Sequence, residues 1–246
     1  MKISLQRLVL AAAVLCAPAL AFAGTTLGDF ASNVGPTLIK PFALDLGGLL
    51  GAATVDSGRT YGCPGFWVGG DGALQARPDS NDQILRYANV RSFALPLVQA
   101  GVGLPYQTDV VLHGMGAYGV AVFGGGVRKS LYRTSLVSTF LPNLSVSAFG
   151  DKVNAGAFNA SHGALNAIAT WDLPIVKPFV EAGYDFTKVV VGAAQARGLA
   201  GVSATANGGR LAGGVDLTPL PLLDLRLALL DLHGIIGGQL GLGVKF

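Results

Sequence analysis

Residues 234–246 read GIIGGQLGLGVKF, and this stretch decides the fold class. Successive side chains of an extended strand point to opposite faces, so one face of this stretch is apolar while the other holds glycine, glutamine and lysine. The apolar row consists of Leu240, Leu242, Val244 and Phe246. The alternation predicts a β-strand with an apolar environment on one side and a polar one on the other, as found in soluble sandwiches and in membrane barrels.

A last strand that ends on phenylalanine resembles the closing strand of bacterial outer-membrane β-barrels. The composition agrees, because charged residues make up 13% of the chain, against about 25% in an ordinary soluble domain. The 246 residues are enough for one closed barrel, and the net charge of +3 is scattered, which does not suggest nucleic-acid binding. We therefore predict that the row from Leu240 to Phe246 faces lipid and carries a barrel-assembly signal.

The first 23 residues have the three parts of a secretory signal peptide. Lys2 and Arg7 precede an apolar run over residues 8–15, and Ala21 and Ala23 provide the small residues of a cleavage site. We predict cleavage after Ala23 and export from the cytoplasm. The predicted organisation is therefore a signal peptide over 1–23, an N-terminal helical cap or plug over 24–60, and an outer-membrane barrel over 61–246.

Residues 24–60 show a helical rather than a strand pattern. Apolar residues recur every four positions, at Phe30, Val34, Leu38 and Phe42, but two prolines interrupt the row. Since an interior proline costs a helix about 3 kcal/mol, we predict short helical pieces, followed by irregular backbone at the glycines in positions 47, 48 and 51. This segment either caps the barrel from outside or plugs its lumen, and the sequence leaves both open.

The sequence pattern of the remaining chain is typical of strands joined by turns. We predict an all-β fold, a closed antiparallel transmembrane β-barrel of about ten strands, with eight and twelve also open because such barrels have even strand numbers. The predicted strands lie near residues 65–77, 87–98, 107–115, 118–132, 143–154, 161–173, 176–191, 209–217, 222–232 and 234–246.

Ionisable residues keep to one face of the last strands, opposite rows of leucine, valine and aromatic residues. In a membrane barrel that face lines the lumen, whereas a soluble barrel has the apolar face inside. The candidates for the lumen are Asp172, Glu181, Asp185, Arg210, Asp216, Asp224, Arg226 and Lys245. They either form cross-strand ion pairs that fill a narrow barrel or line a polar path. Aromatic girdles at the membrane interfaces are expected to include Trp67, Trp171, Phe179, Tyr184 and Phe186.

No catalytic, metal or cofactor site is predicted. The histidines, His113, His162 and His233, lie on separate strands without metal-ligand spacing, which favours polar lumen or interface residues. Ser161 precedes His162 directly, so the two side chains of a strand point apart and cannot form a nucleophile–base pair. Cys63, the one cysteine of the exported chain, is expected to be a small turn residue. We predict that the protein is not an enzyme.

The order of several glycine-rich motifs resembles an uncharacterised Gram-negative outer-membrane β-barrel family, distantly similar to long-chain fatty acid transporters. The motifs are IKPF at 39–42, GFWVGGD at 65–71, AGVGLP at 100–105, VFGGGVR at 122–128 and LPNLSVS at 141–147. The resemblance implies an outer-membrane barrel but gives no ligand residues, and the chain is too short for the full fourteen-strand transporter barrel.

The leading functional hypothesis is passive transport or binding of small molecules, hydrophobic ones among them, in the bacterial outer membrane. The alternatives are a structural or adhesive barrel with a closed lumen and a lipid-modifying enzyme. The expected partners are outer-membrane lipid, the barrel-assembly machinery and a small hydrophobic ligand, with no nucleic acid and no cofactor.

Overall fold

A computed structural model describes residues 30–117, 119–134, 141–192 and 198–246; the predicted signal peptide lies outside these ranges. Ten strands form one closed barrel, which confirms the predicted fold class. The strands are β1 Gly65–Gln75, β2 Phe93–Leu104, β3 Thr108–Ala117, β4 Val120–Tyr132, β5 Asn143–Asn154, β6 Phe158–Thr170, β7 Val176–Val191, β8 Ser203–Leu220, β9 Leu223–Leu232 and β10 Ile235–Lys245. Three described helices accompany them: α1 Phe30–Asn33, α2 Ile39–Ala52 and α3 Gln83–Tyr87.

Each strand pairs antiparallel with its neighbours in sequence, and β1 pairs with β10 to close the barrel. Closure removes the exposed sheet edges that an open sheet would present. We call the end that holds the start of β1 and the end of β10 the proximal end, and the opposite end the distal end. At the distal end His233 and Gly234 join β9 to β10; both have positive φ, 57° and 91°, as a two-residue hairpin of type I′ requires.

The second strand differs from the prediction. Strand β2 begins at Phe93 rather than Tyr87, because residues 83–87 form α3 instead. The side chain of Asp82 accepts a hydrogen bond from the Leu85 backbone at 3.1 Å, which caps this helix. Ile84 and Leu85 of this helix are buried, and they cover the distal end of the barrel.

The N-terminal segment also differs in detail. Helix α2 runs without interruption through the glycines at 47, 48 and 51, which we predicted to be irregular backbone. Pro41 is tolerated because it lies in the first turn, where backbone N–H groups have no partner within the helix. The helix packs inside the barrel, mainly against β7 and β8. This tertiary packing outweighs the low helix propensity of glycine.

Glycine is required where α2 approaches the wall. A Cβ atom on Gly47 would overlap the hydroxyl of Thr187, and one on Gly51 would overlap both the Arg210 guanidinium and the Asp185 carboxylate. The other side of the distal lumen is apolar, since Phe30 and Phe42 pack against Phe158 of β6 with ring centroids 4.7 and 5.1 Å apart. The helix therefore has one small, polar-contacting face and one aromatic face.

Inward and outward faces follow the predicted alternation on β6 to β10. Outward residues include Leu229, 74% exposed, and Leu211, 61% exposed. Arg210, which precedes Leu211 on β8 and points inward, is 1% exposed. The row Leu240, Leu242, Val244 and Phe246 points outward. The aromatic prediction is wrong for two residues: Trp67 and Phe179 are buried inside the barrel, where Trp67 stacks on Tyr61 at 6.2 Å. Tyr184 and Phe186 do lie outside.

None of the helices within the described ranges is both long enough and apolar enough to cross a membrane.

Candidate functional site

The N-terminal segment passes through the whole lumen. Helix α2 begins at the distal end, and the chain then continues to Gly65 at the proximal end, making hydrogen bonds with the wall on the way. Thr54 accepts a hydrogen bond from Asn166 at 3.2 Å, Asp56 donates its N–H to Glu181 at 3.1 Å, and Tyr61 donates its N–H to Asp109 at 3.1 Å. We call residues 39–61 the plug. These contacts lie inside the barrel wall.

Asp56 is the charged centre of the plug. Its carboxylate forms ion pairs with Arg128 of β4 and with Arg226 of β9, the latter at 3.2 Å, and it also accepts the Gly58 N–H at 2.9 Å. Burial disfavours the charged carboxylate, but the two guanidinium groups outweigh it, so the pKa of Asp56 lies below its ordinary value. Asp56 therefore stays ionised at neutral pH and connects two opposite walls of the barrel.

Each of these arginines has a second carboxylate on its own side of the wall. Arg128 lies 2.7 Å from Asp109 of β3, and Arg226 lies 3.0 Å from Asp216 of β8. The pairs are buried, so their charges are exposed to little solvent screening. Both arginines therefore have a carboxylate partner on the wall, and the plug adds the negative charge of Asp56 between them.

Arg210 of β8 forms the second centre, beside the C-terminal end of α2. Its guanidinium donates to Asp185 at 2.7 Å, to Glu181 at 3.2 Å and to Asn166 at 2.7 Å. It also reaches the Thr54 hydroxyl of the plug at 3.3 Å. Four partners in a site with 1% exposure leave Arg210 little freedom to move.

Histidine and aspartate residues continue this network around the wall. His113 Nε2 lies 2.5 Å from Asp151 Oδ1, and His162 Nδ1 lies 2.7 Å from Asp151 Oδ2. On the other side, His162 Nε2 lies 3.4 Å from Asp185, whose second oxygen is 3.2 Å from His233. The chain of rings and carboxylates thus links β3, β5, β6, β7 and the distal turn. Such a chain can carry hydrogen bonds, and no group of three or more metal-binding side chains is found in the described ranges.

The structure places most predicted lumen residues together. Glu181, Asp185, Arg210, Asp216 and Arg226 are buried in the network just described. Asp224 and Lys245 are only half-buried, at the proximal end.

Asp172 lies elsewhere than predicted. It follows the end of β6, its side chain is 48% exposed, and it pairs with Arg59 at 3.4 Å. The prediction extended strand β6 three residues too far, which placed Asp172 inside.

Five buried charges of the site were missed by sequence reasoning: Asp56, Asp71, Asp109, Arg128 and Asp151. The signal existed for the four on strands, because each occupies the inward register of its strand. No alternation marks Asp56, since it lies on the plug. The serine beside His162 does point away as predicted, and its hydroxyl accepts from Lys152 at 2.6 Å. Cys63 is an exposed free thiol in the turn before β1.

A pair of carboxyl groups joins the plug to the distal cover. Asp45 of α2 accepts hydrogen bonds from Gln75 at 2.7 Å and from the Asp79 N–H at 2.8 Å. Burial, and then the neighbouring Asp45, raise the pKa of Asp82 to about 8. Asp82 is therefore mostly protonated at neutral pH.

This pair predicts a pH dependence of stability. The pKa of Asp82 is about 8 in the folded protein against an ordinary value of 3.8, so the unfolded chain loses this proton first as pH rises. Its contribution should therefore make the free energy of unfolding decrease between about pH 4 and pH 8 and level off above that. In Asp82→Asn, which keeps a capping side chain, this part of the slope should disappear. Denaturation of the detergent-solubilised protein at several pH values measures it, and an unchanged slope in Asp82→Asn would contradict the pairing.

A narrow gap separates the plug from part of the wall. At the proximal end the gap between plug and wall, near Asp56, Tyr61 and Arg226, has a volume of about 30 Å³. That is the share of one water molecule in the liquid. A larger concave surface of about 640 Å³ lies across β4 to β7 and is lined mainly by outward residues such as Val146, Leu165 and Tyr184, so it is not a lumen.

The sequence matches no protein-family model and no curated protein. Solved structures with similar folds are outer-membrane barrels. The N-terminal β-barrel domain of Pseudomonas aeruginosa OprF shares 12% identity at a TM-score of 0.38, covering 74% of this chain and 97% of that one. Neisserial surface protein A shares 16% at 0.33, covering 73% and 95%. Acinetobacter baumannii Omp33 shares 12% at 0.32, covering 77% and 99%. None of these likenesses tests the predicted resemblance to fatty acid transporters, which stays a prediction.

Proposed function

We propose that the protein spans the bacterial outer membrane as a barrel that its own N-terminal segment holds closed. The distribution of polarity supports the membrane location. Outward residues of the strands are apolar and well exposed, among them Val98, Phe123 and Ile236 at 67, 66 and 73%. The buried interior, in contrast, holds the charged network. A soluble barrel has the opposite arrangement, because its exterior must be hydrated.

The membrane location predicts three properties of the purified protein. Unheated samples should migrate differently from boiled ones on denaturing gels, because a closed barrel resists detergent unfolding. The protein should remain in the outer-membrane fraction after alkaline washing. Its N-terminal sequence after export should begin at Gly24. Recovery in the soluble periplasmic fraction would contradict the proposal.

The proposal that the lumen is closed depends on the plug. The observation that carries it is the bridging of Asp56 between Arg128 and Arg226, on opposite walls of the lumen. In this state solutes have no path, so the protein acts as a structural barrel. The test is the conductance of wild-type protein in planar lipid bilayers, expected to be near the background, against that of a variant whose plug cannot seat.

The second candidate is gated passage of small molecules. The polar character of the plug–wall contacts favours it, because the extended part of the plug binds through hydrogen bonds and ion pairs that water can replace. Removal of the plug would leave Arg128, Arg210 and Arg226 facing an open lumen, and such rings of charge select among solutes. A conductance that appears when the plug is loosened supports gating; a variant that loses the plug but stays closed supports the structural role.

Three earlier expectations stay predictions. They are the binding of a small hydrophobic ligand, recognition of the outward row Leu240 to Phe246 by the assembly machinery, and the lack of enzymatic activity. For the last, the histidines of the lumen contact aspartates rather than a serine or cysteine nucleophile within the described ranges.

A further inference from the structure

A cavity of about 510 Å³ opens at the distal end, away from the plug contacts described above. The connection between β1 and β2 forms one side of it, and the hairpin turn at Gly234 and Ile235 forms the other. Three arginines line it, Arg77, Arg86 and Arg91. Its volume falls within the range of about 300–1,000 Å³ found for ligand pockets.

The positive charge of this cavity is poorly compensated. Arg86 donates to the Ser80 carbonyl at 2.7 Å, whereas the exposed side chains of Arg77 and Arg91 make no hydrogen bond or ion pair with any residue of the described ranges. Asp79 is the carboxylate of the lining, and one of its oxygens accepts the Asn81 N–H at 2.7 Å. Three arginines against one aspartate give a net charge of +2 for the cavity lining.

We infer that this cavity binds the phosphate group of a phosphorylated ligand. Arginine presents a planar fork of N–H donors that matches phosphate oxygens, and three such groups around one opening favour a doubly charged anion over a carboxylate. A bare phosphate would fill a small part of the space. The cavity therefore suits a phosphate carried by a sugar or by a lipid headgroup.

The surroundings explain how a lipid could present that phosphate. Leu74 of β1 and Ile236 of β10 lie on neighbouring strands at the distal end and point outward, with exposed fractions of 44 and 73%. Tyr87 of α3, 68% exposed, lies in the same connection as the arginines. A phosphorylated lipid could place its headgroup among the arginines and its chains along this apolar wall.

The test measures binding to purified full-length protein in a zwitterionic detergent. The probes are lipid A, lipid A with its phosphates removed, and glucose 6-phosphate as a soluble sugar phosphate. The double variant Arg77→Gln, Arg91→Gln should bind the phosphorylated probes at least about tenfold more weakly, since the charged hydrogen bonds of two guanidinium groups to the phosphate are lost. The control Lys152→Gln, Lys188→Gln removes two positive charges from exposed positions on β5 and β7, outside the cavity, and should bind as the wild type does.

The outcomes separate the sources of the phosphate. Binding of lipid A but not of glucose 6-phosphate assigns the site to a membrane lipid, and equal binding of both assigns it to soluble phosphates. Equal affinity of wild type and the arginine variant would overturn the inference, as would equal loss in the lysine control or retention of dephosphorylated lipid A. The soluble arm needs no membrane, so its result is independent of the proposed location and of the plug.

Discussion

Gly51→Ala should release the plug and open the barrel, while Gly48→Ala should leave both unchanged. The two substitutions add the same methyl group to the same helix, and each should improve helix propensity by about 1 kcal/mol. They differ in what the new Cβ meets. At position 48 the nearest atom is the Leu232 Cβ at 3.3 Å, which needs a small adjustment, whereas at position 51 the Cβ would overlap Arg210 and Asp185.

Arg210 cannot easily make room. Its guanidinium is held by Asp185, Glu181, Asn166 and Thr54, so moving it breaks charged hydrogen bonds in a buried site. Such a loss costs several kcal/mol, more than the gain in helix propensity. We expect the C-terminal half of α2 to detach from the inner wall and leave part of the lumen empty. The barrel itself should stay closed, because its strands are joined by their own backbone hydrogen bonds.

Conductance in planar bilayers measures the release. The wild type and Gly48→Ala should give background current, and Gly51→Ala should give frequent openings; heat-modifiable gel mobility should be kept by all three as a check on the folded barrel. If Gly51→Ala folds and remains as closed as Gly48→Ala, the plug does not gate the lumen and the structural role is favoured. If protease cleaves the plug in Gly51→Ala without any conductance, the plug has left but no path exists.

Asp56→Asn should lower the free energy of unfolding by about 3–5 kcal/mol, as expected when one partner of a buried ion pair is removed. Asparagine keeps the shape and an acceptor for the Gly58 N–H, but it removes the negative charge between Arg128 and Arg226. Each arginine keeps a carboxylate, Asp109 or Asp216, which should hold the effect at the lower end of this range.

Asp172→Asn is the matched control. It makes the same chemical change in an ion pair with Arg59, but that carboxylate is 48% exposed. Exposed pairs contribute about 0–1 kcal/mol, so the control should differ little from the wild type. Denaturant titration in detergent, followed by gel mobility, compares the two. Equal effects of the two substitutions would mean that Asp56 is not the anchor of the plug.

Much of the barrel follows from local patterns in the sequence. A strand has a side-chain period of two, so a row such as Leu225, Leu227 and Leu229 against Arg226 can be assigned to two faces without knowing the neighbours. Ten strands were expected and ten are present. The largest errors concern two helices. The short helix α3 and the turn after it occupy residues 83–92, part of which was predicted as strand. Helix α2 continues through glycines that were predicted as irregular backbone.

The site was harder to predict because its members come from distant positions. Asp56 and Arg226 are 170 residues apart, and nothing in the local sequence of either indicates the other. The three histidines illustrate the same limit. Their sequence spacing predicted separate polar residues, yet the register of β3 to β6 places His113 and His162 on the two oxygens of Asp151.

The sequence by itself therefore determined the two faces of the strands β6 to β10 and the charged character of one face, because both depend on periodicity within one strand. It predicted about ten strands and left eight and twelve open. Tertiary structure alone decided that residues 39–61 occupy the lumen, that Asp56 joins two walls, and that three arginines meet at the distal end. These arrangements depend on which side chains approach across the barrel, and that is set by closure of β1 on β10 and by the space that Gly47 and Gly51 leave for the plug.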